Sequence, residues 1–269
     1  MELFEAIIIG IAHGISEFLP VSSSGHLILF RDLFSLDVTT VAAYDFMLHC
    51  ATLLVLILYF RADIWALFQA VLRKLGRLPV RKRDLTLAHA LLAGTIPAVL
   101  LGFILEPFFD KNLQSAAVVS VVLFTTSIFF MYVEWKYYMR PNHESITVRK
   151  AILIGCFQVA ALLPGFSRSG ATIAGGMLLG MSRFEAARFS FLLAIPIGLG
   201  VVGKKLIDLL KLGGTIDWTP ILIGSLVAGT TALIVIHIFL SYVKKNTLWP
   251  FIWYGVVLSA MVSYVAFIA

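Results

Sequence analysis

Pro20-Val21-Ser22-Ser23-Ser24-Gly25 and Pro164-Gly165-Phe166-Ser167-Arg168-Ser169-Gly170 are the two stretches that decide how this chain folds. Each interrupts an apolar region, 3–35 and 151–181, that would otherwise read as a membrane-crossing helix. Unpaired backbone groups at membrane depth persist only where protein covers them or water reaches them. The breaks therefore predict two re-entrant helix-break-helix hairpins facing a cavity. The two regions also resemble each other. Ala6-Ile7-Ile8-Ile9-Gly10 recurs as Ala151-Ile152-Leu153-Ile154-Gly155, Phe18-Leu19-Pro20 as Leu162-Leu163-Pro164, and Ser24-Gly25 as Ser169-Gly170. That is an internal repeat of about 145 residues, dividing one membrane domain (1–269) into half-repeats 1–145 and 146–269.

Working outward, hydrophobic residues make up 60% of the 269 positions and charged residues 13%, a balance that excludes a water-soluble domain. Six further apolar stretches read as spanning helices, at roughly 42–60, 86–106, 115–138, 186–203, 219–241 and 250–268. The expected fold class is thus an all-α polytopic membrane protein with six transmembrane helices and two re-entrant hairpins. Three spans per half is an odd number of crossings, so the halves enter from opposite sides and the repeat is inverted. The first segment, Leu3 to Ile15, lacks a basic start and a small-residue cleavage site, and reads as retained rather than as a signal peptide.

A formal charge of +6 does not imply a nucleic-acid partner, because the basic residues sit in short loops between apolar runs. The loops at 61–84, 139–150 and 242–249 hold 12 of them, including Arg61, Arg140 and Lys244. The loops at 107–114 and 204–217 hold 4: Lys111, Lys204, Lys205 and Lys211. The richer side is expected to be cytoplasmic. Cys50 and Cys156 lie in apolar segments and read as small buried hydrophobes.

His13, Glu17, Ser22, Ser23, Ser24 and His26 fall within fourteen residues of otherwise apolar sequence. Ionisable groups inside a membrane are costly and mark function by default. His13 stands four residues before Glu17, so on a helix both project from one face and can share a proton or a cation. Ser22, Ser23, Ser24 and Gly25 can open a new half-helix whose first N–H groups attract phosphate. Ser167, Ser169, Gly170 and Thr172 do the same in the second half, and Arg168 adds a guanidinium suited to phosphate oxygens. For cleavage of a phosphoanhydride, Ser23 or a water would attack, His26 would relay a proton, Glu17 would act as base or hold a divalent cation, and Arg168 would stabilise the equatorial oxygens. Neither break carries a Lys or Asp, and there is no Walker loop.

Glu17-Phe18-Leu19-Pro20-Val21-Ser22-Ser23-Ser24-Gly25-His26, together with Pro164 to Thr172 and the later Ser190-Phe191-Leu192-Leu193-Ala194-Ile195-Pro196, resembles the bacitracin-resistance family of undecaprenyl-diphosphatases over essentially the whole chain. The resemblance implies hydrolysis of undecaprenyl diphosphate to the monophosphate at the outer face of the inner membrane, recycling the carrier for cell-wall synthesis. It also implies dependence on a divalent cation, Mg²⁺ or Ca²⁺, and roles for Ser23, His26 and Arg168. One departure stands out. The family's Glu-Gly is His13-Gly14 here, so the paired carboxylates Glu-x-x-x-Glu become His-x-x-x-Glu. An imidazole with one carboxylate weakens the preference for a hard cation.

Other polar residues are weaker signals. Asp45 and His49 face either the cavity or the packing against the hairpin. His89, His143 and His237 read as loop or helix-surface residues without convergent partners, and Gln158 as a hydrogen-bonding group across the half-repeat interface. The competing reading is a lipid-phosphate flippase or transporter, or a phosphatase for another lipid phosphate, since inverted repeats with broken helices also build transporters. An acid-phosphatase-like lipid phosphatase is excluded, because neither Arg168 nor Arg183 has a histidine six residues later. The partners expected are a polyprenyl diphosphate and the membrane; a homodimer stays open.

Overall fold

A computed structural model describes residues 1–34, 36–112, 115–139, 144–212 and 216–267, so that Arg140 and His143 lie outside the described residues. Regular structure among them is helical throughout. The first hairpin is α1 (Leu3–Ser16) and α2 (Ser23–Leu33); the long helix α3 (Val38–Tyr59), a shorter α4 (Arg61–Leu75), and the long α5 (Lys82–Asn112) and α6 (Ala116–Met139) complete the first half. The second hairpin is α7 (Val148–Val159), a 3-10 turn at Ala160–Leu162 and α8 (Arg168–Leu178), followed by α9 (Arg183–Leu212), α10 (Trp218–Tyr242) and α11 (Trp249–Phe267).

Length explains why the hairpins cannot span. With 14 residues, α1 is the longest hairpin helix and reaches about 21 Å, short of the roughly 30 Å of hydrocarbon. By contrast α3, α5, α6, α9 and α10 are long and apolar enough to cross. The sixth expected span, α11, is apolar and has 19 residues, about 28 Å of helix. Leu100, Leu226, Ile234 and Val257 on these helices point outward and are exposed, the surface a lipid-facing bundle presents.

Two stretches read as loops are helical. Within 61–84 the chain forms α4, which exposes Trp65, Phe68, Leu72 and Leu75 along one stripe between Arg61 at its start and Arg73 and Lys74 at its end. That is the pattern of a helix lying in the headgroup layer, and the charge density masked it. Likewise Lys204, Lys205 and Lys211 continue α9 instead of joining a loop.

The packing exchanges partners between the halves, as an inverted repeat requires. The first hairpin's α1 lies along α10 of the second half, the second hairpin's α7 lies along α5 of the first, α3 pairs with α9, and α6 pairs with α11. Small residues set both crossings. A Cβ on Gly10 would overlap the carbonyl of Gly224, and a Cβ on the repeat-equivalent Gly155 would overlap that of Gly94. Without a hydrophobic force between helices in lipid, such backbone approach supplies the van der Waals contact that holds them. At the centre, Phe18 from the first break packs edge-on against Phe191 of α9, 5.4 Å between rings, and Phe191 meets Phe239 of α10.

Candidate active site

Both breaks end in the same device. After α1 the chain turns through Glu17 to Val21, and Ser22 adopts a left-handed backbone with φ of 66°. A non-glycine residue held there costs of the order of 1 kcal/mol or more. In return the Ser22 Oγ accepts from the Gly25 N–H at 3.3 Å and caps α2. In the second half Ser167 caps α8, its Oγ accepting from the Gly170 N–H at 3.1 Å. Ser23 and Arg168 are therefore the first residues of two half-helices, at equivalent places in the repeat.

They meet on one carboxylate. Ser23 Oγ donates to Glu17 Oε2 at 2.6 Å, and an Arg168 guanidinium nitrogen donates to Glu17 Oε1 at 2.5 Å. The tips are pinned together around this contact. Ser169 Oγ donates to the Leu19 carbonyl at 3.0 Å and Ser167 Oγ to the same carbonyl at 3.5 Å. Gly165, with φ of 96°, lies so close to α6 that a Cβ would sit 2.9 Å from the Val119 carbonyl. Glu17 is only 8% exposed, and its charge is sustained there because both oxygens are matched by donors, one of them cationic.

A second line of ionisable groups approaches Glu17 from the other side. His13 Nε2 lies 3.8 Å from Glu17 Oε2, and the His13 ring meets the His49 ring edge-on at 5.2 Å. His49 Nδ1 is held by Asp45, 2.8 Å from its carbonyl and 3.0 Å from Oδ1, and the Asp45 carboxylate is paired with Lys205. These groups wall a cavity of about 360 Å³ into which Ser23, Ser24, Arg31 and Lys205 also open, with Leu27, Ile28 and Val41 on its apolar side. A serine hydroxyl already bonded to a carboxylate, with cations nearby and an apolar flank, suits an anionic headgroup carried on a lipid.

The structure thus brings Ser23, Glu17, Arg168 and His13 together. His26 is turned elsewhere: its Nδ1 donates to the Ser22 carbonyl at 2.7 Å, its Nε2 bonds the Tyr254 hydroxyl at 2.6 Å, and its ring stacks on that of Tyr254. Of the residues expected to bind substrate, Ser24 lines the cavity, whereas Ser22 and Gly25 are buried in the cap. Ser167 and Ser169 are buried on Leu19, Gly170 is pressed against Phe130, and Thr172 bonds Ser190 at 2.6 Å. Those four join hairpin to hairpin, to α6 and to α9, so serine-rich capping sequence here marks a structural joint as much as a ligand surface.

Lys205, Arg31 and Tyr254 were not expected at the site. Asp45 and His49, left open by sequence, face the cavity; their spacing of four inside a span is the signal that points there. Elsewhere, His237 has a partner, the Tyr59 hydroxyl at 3.4 Å, while His89 is exposed on α5. Gln158 is buried with no hydrogen-bond partner among the described residues instead of bridging the halves. Cys156 is exposed and Cys50 half-buried, so neither is the buried core residue expected.

The fold and this site define a class: a polytopic helical membrane protein whose polar centre is assembled from two interlocked broken hairpins. The family model described as bacitracin resistance protein BacA matches residues 6–261. The undecaprenyl-diphosphatase of Marinobacter nauticus is 37% identical over 265 residues, covering 97% of this chain and 98% of the relative. That of Alteromonas mediterranea is 36% identical over 267 residues, 99% of this chain and all of the relative, and that of Idiomarina loihiensis is 39% identical over 271 aligned residues, with 99% and 100% covered. The chain belongs to the bacitracin resistance protein BacA family.

Proposed function

We propose that the protein hydrolyses undecaprenyl diphosphate to undecaprenyl phosphate and inorganic phosphate, restoring the lipid carrier for cell-wall synthesis. The observation that carries this reading is the meeting of Ser23 and Arg168, from opposite hairpins, on the buried carboxylate of Glu17. Glu17 accepts the proton of Ser23 as its Oγ attacks the terminal phosphorus, the bond to the bridging oxygen breaks, and undecaprenyl phosphate leaves. Water then releases phosphate from Ser23; attack by water in the first step, with Glu17 as base, gives the same products. Arg168, freed from Glu17 as its charge is neutralised, turns to the equatorial oxygens. Arg31 and Lys205 draw the diphosphate into the cavity, and Leu27, Ile28 and Val41 meet the first isoprenyl units. His26 stands one turn beyond Ser23, and a proton-carrying role for it requires release from Tyr254.

The inner membrane, with the cavity open to its outer side, fits the charge pattern. Val41 lies near the start of α3 and Lys205 toward the end of α9, both on the cavity wall. The basic run from Arg61 to Arg83 follows the opposite end of α3. With that richer end in the cytoplasm, the cavity faces outward.

Family resemblance implies Mg²⁺ or Ca²⁺ at Glu17 and His13. These ions take six or more ligands, nearly all oxygen. Here the candidates are one carboxylate, with both oxygens already engaged, and two imidazoles, His13 and His49. The donor set does not fit a hard ion, and the steps above use none. The test of the proposal is phosphate release from undecaprenyl diphosphate by the purified protein in detergent. Turnover supports hydrolysis; binding without phosphate release favours a lipid-phosphate flippase and overturns it.

A further inference from the structure

We infer that His13, His49 and Glu17 form a site for a first-row transition-metal ion such as Zn²⁺, Mn²⁺ or Co²⁺ in place of a hard alkaline-earth ion. The inference deepens the phosphatase reading of the same cavity, and its test is read on metal binding so that the two can fail separately. The three residues offer ligand atoms within 4.8 Å of one another. Two ligands each about 2.1 Å from one ion lie at most about 4.2 Å apart, so side-chain adjustment of about an ångström closes the cluster.

Three further features point to a ligand. His13 is 3% exposed, and neither of its ring nitrogens has a hydrogen-bond partner among the described residues. A buried imidazole left unpaired is a costly arrangement unless something else occupies its lone pair. His49, in contrast, is oriented. Asp45 takes its Nδ1, leaving Nε2 as the free donor, and Lys205 fixes Asp45 in turn. A carboxylate that orients the far nitrogen of a ligand histidine is the usual support of a metal-bound imidazole. Finally, two histidines with one glutamate, beside a cavity that leaves positions open, form a donor set used by catalytic zinc and other transition-metal sites. Glu17 reaches the ion by yielding one of the oxygens that Ser23 and Arg168 now hold.

The experiment uses the full chain, purified in detergent without a histidine tag, stripped with chelator and titrated with Co²⁺. The expected result is about one Co²⁺ per chain with visible ligand-field bands, retained against a large excess of Mg²⁺ or Ca²⁺ and displaced by Zn²⁺. Asp45→Asn should weaken Co²⁺ binding by about 10- to 100-fold, and His49→Ala by at least as much. Because the wild-type spectrum needs no substitution, a variant that fails to fold does not decide the matter. No Co²⁺ spectrum in wild-type protein, ready displacement of Co²⁺ by Mg²⁺, or unchanged affinity in a folded His49→Ala variant would each overturn the inference. Phosphate release by metal-free protein, with the Co²⁺ site intact, would leave the phosphatase reading standing and the ion without a part in it.

Discussion

Replacing Arg168 with alanine strips the cation from a carboxylate that is 8% exposed and that otherwise accepts from Ser23 Oγ and lies 3.8 Å from His13 Nε2. Breaking a fully buried pair by removing one partner costs about 3–5 kcal/mol. Arg168 retains 23% side-chain exposure, so water recovers part of this and about 2–4 kcal/mol is expected here. For a chain of this size that lowers Tm by roughly 4–16 °C, at about 2–4 °C per kcal/mol. The check is thermal unfolding in detergent of Arg168→Ala, Glu17→Gln and the double variant. Neutralising Glu17 removes the stranded charge, so the double variant should regain most of the stability lost by Arg168→Ala, while phosphate release stays at least about 100-fold below wild type in all three. Strictly additive losses in Tm, or an Arg168→Ala protein as stable as wild type, would refute the buried ion pair between the hairpins.

Ser23→Ala should keep the fold, since the cap belongs to Ser22, and reduce phosphate release by about 10³-fold or more, measured by a colorimetric phosphate assay. His13→Glu restores the paired-carboxylate spacing and should shift metal preference from Co²⁺ or Zn²⁺ toward Mg²⁺ or Ca²⁺ while keeping activity; a competition titration reads the change. Gly155→Ala drives a Cβ into the Gly94 carbonyl and should cost about 1–3 kcal/mol in thermal unfolding. Gly203→Ala, which meets no atom within 4 Å, should leave Tm unchanged or slightly raised.

Glu17, Ser23 and Arg168 were legible in the sequence for one reason: polar groups beside a proline- or glycine-marked break, in apolar surroundings, have few structural excuses. The repeat made their meeting predictable, because opposed hairpins of equal depth bring their tips together. Asp45, His49 and Lys205 were harder. Their convergence depends on the rotation of α3 and α9 about their axes, which composition does not reveal, and Lys205 was read as a loop residue because charge was equated with loop. The same equation hid α4. Ser167, Ser169 and Thr172 show the converse limit, since a hydroxyl that caps a helix or bonds a neighbouring carbonyl reads the same in sequence as one that binds phosphate.

The claim on which the rest depends is that the two broken hairpins enclose a single cavity, and spin labels test it most directly. Ser24→Cys and Ala161→Cys, in a chain with Cys50 and Cys156 replaced by alanine, would carry labels from opposite hairpins into that cavity. Strong dipolar broadening in the doubly labelled protein, absent from either single variant, is the predicted result. Labels that do not sense each other in a folded protein would contradict it.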